Sequence, residues 1–99
     1  MLEKSYIFTS IESNRSAIKR FGVEKLGLFG SVARNDHTHD SDLDFVVSFT
    51  QGKKSYNNYI ELCYFLEDLF HTKVDLLTYD SLEGNTKKKI LSEVENFDL

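Results

Sequence analysis

The segment Leu43 to Phe49, read as a strand, restricts the fold more than any other part of the chain. Leu43, Phe45, Val47 and Phe49 alternate with Asp42, Asp44, Val46 and Ser48, which is the two-residue period of a strand with one apolar face. Such a face must be covered by another layer of structure. Two more segments read as strands: Val23 to Phe29, and Lys73 to Thr78, where Asp75 stands among Val74, Leu76 and Leu77. Helical spacing fills most of the remainder. Ile7, Ile11, Ile18 and Phe21 predict one amphipathic helix from Lys4 to Phe21, stopped by Gly22. A short helix follows Gly30-Ser31, and the polar stretch Arg34 to Ser41 has turn chemistry without apolar periodicity. Ser55 is placed to cap a helix whose stripe holds Tyr59, Leu62, Cys63, Leu66 and Leu69 or Phe70. Thr86 is placed to cap a last helix over Lys87 to Asn96, with Ile90, Leu91 and Val94 inward. The predicted order is α-β-α-β-α-β-α, a small α/β (α+β) sheet with helices packed against it. The full helix between the second and third strands makes that pair parallel.

Composition narrows what such a domain does. Ninety-nine residues suit a single domain, 1–99, with no second core. No proline, repeat or low-complexity run marks a linker. Sixteen acidic against twelve basic residues leave a net charge of −4, which argues against stable, charge-driven nucleic-acid binding. The apolar runs are too short for a membrane span, and the N-terminus lacks the apolar core of a secretory signal. A lone cysteine, Cys63, cannot close an internal disulfide, in keeping with a cytoplasmic protein.

The acids of the second strand need an explanation. Asp42 and Asp44 leave the same face about 6.5 Å apart. Unneutralised, they repel and raise one pKa, and a divalent cation removes that penalty. Hard oxygen ligands suit Mg²⁺, which is commonly shared with substrate phosphates. Two such ions about 3.5–4 Å apart clamp the attacking and leaving oxygens of a phosphoryl displacement. On its own, Ser41-Asp42-Leu43-Asp44 also reads as a plain loop-to-strand junction. Asp75 is the second coincidence. An unpaired carboxylate is costly to bury in an apolar strand, yet a parallel neighbour of the second strand would project it beside Asp42 and Asp44; an edge-strand acid facing solvent is the alternative. Gly30-Ser31 is the third. A glycine after a strand lets backbone N–H groups approach phosphate oxygens, although a lone Gly-Ser also reads as a simple turn.

Together, Gly30-Ser31-Val32-Ala33-Arg34, then Ser41-Asp42-Leu43-Asp44, then Val74-Asp75-Leu76 resemble the minimal nucleotidyltransferases (MNT) of the DNA polymerase β-like superfamily. Their pattern is G-S-x-A-R, a short polar loop, S-D-[LI]-D and a later lone Asp in a third strand. The resemblance spans nearly the whole chain and implies the nucleotidyltransferase fold, with a three-stranded mixed sheet. It implies Asp42, Asp44 and Asp75 as catalytic metal ligands, with Asp75 also helping to deprotonate the acceptor hydroxyl. It implies Gly30 and Ser31 as the cradle for the β- and γ-phosphates of ATP, with Ser41 as a further phosphate-binding residue. Arg34 reads as a phosphate contact or a structural salt bridge. The implied cofactor is Mg²⁺, two ions, although Mn²⁺ suits the same oxygens. The loop Asn35 to Asp40 departs from the pattern in its richness in His and Asp.

The resemblance also implies a partner. Such proteins are commonly paired with a HEPN-domain RNase toxin, and act as its antitoxin by transferring AMP from ATP to a tyrosine hydroxyl. Neutralisation by binding alone is the alternative, and transfer to a small hydroxylated metabolite is a third reading. Homo-oligomerisation is left open. His37-x-His39 lacks the further ligands of a transition-metal site and reads as an exposed loop near the site's mouth. Lys87-Lys88-Lys89 reads as a solvated face. Tyr56 and Tyr64 read as outward, and Cys63 as an inert thiol on the apolar stripe.

Overall fold

The computed structural model describes residues 2–99. Its elements are α1 (Lys4–Ser13), α2 (Arg15–Lys19), β1 (Val23–Phe29), α3 (Gly30–Arg34), β2 (Leu43–Phe49), α4 (Tyr56–Phe70) and β3 (Val74–Thr78). A 3-10 turn (Tyr79–Ser81), α5 (Gly84–Glu93) and β4 (Glu95–Asn96) complete the chain. The sheet runs in the order β3-β2-β1-β4. β2 and β3 are parallel, as the intervening helix requires. β1 is antiparallel to both of its neighbours.

The strand alternation sorts the core into two layers. On one face, Leu43, Phe45 and Val47 of β2 meet Ile7 and Ile11 of α1, Ile18 of α2 and Leu62 and Leu66 of α4. On the other, Phe29 and Val46 meet Leu82 and Ile90, the latter from α5. This second layer is small, and it borders the acidic end of β2. α4 begins as its sequence specifies, with the Ser55 hydroxyl accepting the Asn58 N–H at 3.1 Å. Among the described residues, no helix is long and apolar enough to cross a membrane.

Three expectations are corrected. The sheet has four strands rather than three, because the chain after α5 turns back along β1, pairing Asn96 with Gly27 and Glu95 with Leu28. Gly27 allows this: a Cβ there would come within 2.5 Å of a Val94 methyl. The last helix therefore ends at Glu93, not Asn96. It also starts earlier, at Gly84, with Glu83 at the cap position and no side-chain bond from Thr86. The predicted first helix is two, α1 and α2, broken at Asn14. There the Asn14 side-chain amide donates to the Ser10 carbonyl at 2.7 Å, the local competition that disfavours Asn within helices. Gly22 does stop the pair, at φ +83°, with its N–H on the Lys19 carbonyl.

Candidate functional site

β2 and β3 pair in a register that sets Asp44 directly beside Asp75. Neighbouring strands lie about 4.8 Å apart, so two carboxylates at one level of a sheet face interact strongly. Asp42 precedes β2 by one residue and is exposed, as is Asp75, whereas Asp44 is half-buried. Asp44 also faces the end of β1, where it pairs with Phe29, and the chain then turns at Gly30. Gly30 has φ +78°, and a Cβ on it would overlap an Asp44 carboxylate oxygen. Glycine is required twice over, by the left-handed backbone and by the close approach.

Crowding shows in the electrostatics. Burial first, then the charges of Asp75 and Asp42, push the Asp44 carboxyl up to about 6, and Arg34 opposes this only in part. Three hard oxygen donors repelling one another beside a glycine turn fit a divalent cation. Among the described residues no three acidic, His or Cys side chains close around a single point by themselves. Mg²⁺ sites of one or two carboxylates completed by water and substrate oxygens do not need that closure.

The remaining predicted residues fall in two places. Gly30 and Arg34 line a cavity of about 340 Å³ together with Phe29, Leu77, Thr86, Lys89, Ile90 and Glu93. Ser31, half-buried, follows Gly30 in the first turn of α3. Arg34 is engaged in ion pairs: its Nε with Asp36 at 3.1 Å and its Nη1 with Glu93 at 3.0 Å. These two carboxylates raise its pKa, Asp36 most. Ser41 is not brought to this cavity. Its hydroxyl accepts the Thr38 N–H at 2.9 Å, shaping the loop ahead of Asp42, and it lines a different cavity with Thr38, His37, His39, Leu43 and His71. His37 is less exposed than expected, with Nε2 hydrogen-bonded to the Leu2 carbonyl at 2.8 Å.

Glu93 was not singled out by the sequence. It accepts from the Gly30 N–H at 3.1 Å through one oxygen and from Arg34 through the other. Its one visible signal was an acid in the last turn of a helix, where negative charge opposes the dipole.

Known proteins are similar to this chain in sequence and fold. Residues 11–95 match the family model for the nucleotidyltransferase domain. Protein adenylyltransferase MntA of Thermococcus cleftensis is 41% identical over 76 residues, 77% of this chain and 76% of that protein. A Methanocaldococcus jannaschii protein described as a protein adenylyltransferase is 40% identical over 74 residues, 75% of this chain and 78% of that one. A solved structure described as a minimal nucleotidyltransferase superposes with a TM-score of 0.81 at 29% identity, covering 95% of both chains. The fold is also that of a structure described as a tri-AMPylated Shewanella oneidensis HEPN toxin in complex with MNT antitoxin. Its TM-score is 0.56 at 18% identity, over 86% of this chain and 69% of that one. Two sequence relatives above one-third identity and a family match over most of the chain make this protein a member of the nucleotidyltransferase domain family.

Proposed function

We propose that this chain transfers AMP from Mg–ATP to a tyrosine hydroxyl of a HEPN-domain toxin and thereby acts as its antitoxin in the cytoplasm. The observation that carries this reading is the register pairing of Asp44 with Asp75 against the Gly30 turn. The names of the sequence relatives and the AMPylated toxin in the structural relative supply the acceptor class.

Asp42, Asp44 and Asp75 would hold Mg²⁺, or Mn²⁺, which when bound offsets the charge of the phosphates and of the carboxylates themselves. Gly30, with no side chain, lets the β- and γ-phosphates come close while its N–H stays on Glu93, Ser31 donates to them, Arg34 adds a cationic donor, and Ser41 shapes the loop that delivers Asp42. The acceptor oxygen attacks the α-phosphorus, the bond to the oxygen bridging α and β breaks, and pyrophosphate leaves with that electron pair. Asp75, exposed beside Asp44, takes the hydroxyl proton or passes it to water. The protein's share is orientation and charge placement.

Label transfer tests this directly. With ATP labelled at the α-phosphate, the toxin becomes labelled; with label at the γ-phosphate, it does not. Inhibition of the toxin without α-label, persisting when Asp42, Asp44 and Asp75 are all alanine, would instead establish neutralisation by binding alone.

A further inference from the structure

Glu93 is the last residue of α5 and reaches across to the turn after β1. Its side chain is 14% exposed, so its carboxylate is largely withdrawn from water. A carboxylate in that position is stable only when its oxygens are satisfied. Both are: one by the Gly30 amide, the other by Arg34 Nη1. These partners flank the Gly30-to-Arg34 segment, so a single side chain from a distant helix fixes both ends of it.

Arg34 is thereby given a direction. Its Nε is held by Asp36 and its Nη1 by Glu93. Nη2 has no protein acceptor among the described residues, and Arg34 and Glu93 line the same cavity beside Gly30. A planar guanidinium held at two of its nitrogens presents the third at a fixed angle. Asp44, one of the carboxylates proposed to hold the metal, already feels the charge of Arg34.

We propose that Glu93 is a positioning residue for nucleotide binding: its carboxylate pins the Gly30 amide and orients Arg34, leaving Nη2 to meet the β- or γ-phosphate of the nucleotide. Glu93 touches neither substrate nor metal, and its role exists only if the chain binds a nucleoside triphosphate as proposed above.

Calorimetric titration with Mg²⁺ and α,β-methylene-ATP, which binds without transferring AMP, reads this role, with AMP as the control ligand. Glu93→Ala is expected to weaken the triphosphate analogue about tenfold, the size of one lost charge-assisted hydrogen bond, and to leave AMP affinity unchanged. With ATP the same variant raises KM and keeps kcat. Glu93→Gln retains an acceptor for the Gly30 N–H but loses the charge facing Arg34, so an intermediate loss is expected; it also serves if the alanine variant folds poorly. Adding Glu93→Ala to Arg34→Ala is expected to cost less than Glu93→Ala costs in the wild-type chain, because only the contact with the Gly30 N–H then remains to be lost. Wild-type affinity in Glu93→Ala, equal losses for AMP and the analogue, or full additivity with Arg34→Ala would each overturn the role. Should the wild-type chain bind no triphosphate at all, the nucleotidyl-transfer reading falls with it. Should Asp44→Asn and Asp75→Asn abolish transfer while Glu93→Ala binds normally, only the role of Glu93 falls.

Discussion

Asp44 sits where three influences add: partial burial, the neighbouring Asp75 and the nearby Asp42. Its carboxyl is raised from 3.8 to about 6, so without divalent metal the folded state holds this proton more tightly than the unfolded state does. The stabilisation from this group is fully present below the unfolded pKa and is lost as pH rises through about 6. Urea unfolding in a chelator is therefore expected to show wild type losing stability relative to Asp44→Asn between pH 5 and pH 7. The change is about 1 kcal/mol, discounted because the group is half-exposed. Parallel pH profiles for the two proteins would contradict this. Gly30 is the neighbouring constraint. Gly30→Ala places a methyl into the Asp44 carboxylate at a positive φ. We expect it to lower kcat/KM for AMP transfer by about 100-fold or more through displaced geometry, and to destabilise by about 1–3 kcal/mol. Transfer at the wild-type rate would show that Gly30 and Asp44 need not touch.

The elements differ in how openly the sequence displays them. β1 and β2 have the bounds predicted for them; β1, with a register shift between Val23 and Lys25, does not alternate, whereas β2 shows its strand period in the alternation of Leu43, Phe45 and Val47 with Asp44 and Ser48. β3 is legible for the same reason, starting one residue later than expected. β4 is not, since two residues contain no period and its existence depends on pairing with Gly27 and Leu28, far away in the chain. The break at Asn14 was equally hidden, since Ile11 and Ile18 keep their inward spacing on either side of it. The tie between α5 and the Gly30 turn belongs to this scale too. Val94 packs where a Gly27 side chain would stand, so Gly27→Ala pushes against the segment that carries Glu93. We expect it to destabilise by about 1–3 kcal/mol and to raise KM for Mg–ATP, measured by unfolding and by steady-state kinetics. A loss of stability with an unaltered KM would show that the placement of α5 does not reach the nucleotide site.

At the scale of the whole molecule, the sheet divides the work between its faces. The larger core, from α1, α2 and α4, holds β2 and β3 in register. The opposite face has a smaller apolar layer and carries the carboxylates beside it. The candidate triad was legible because strand period and parallel pairing together dictate which side chains share a face. Glu93 was not, because only the return of α5 over the sheet brings it to Gly30. On the proposed function, a domain with net charge −4 and three carboxylates close together would need cations to admit a triphosphate. Intact-mass spectrometry of the purified toxin after incubation with this chain, ATP and Mg²⁺ tests the central claim most directly, with Asp75→Asn in parallel. The toxin is expected to gain the mass of one or more AMP groups on tyrosine with the wild-type chain and none with the variant. An unmodified toxin in both reactions, or equal modification in both, would contradict the account.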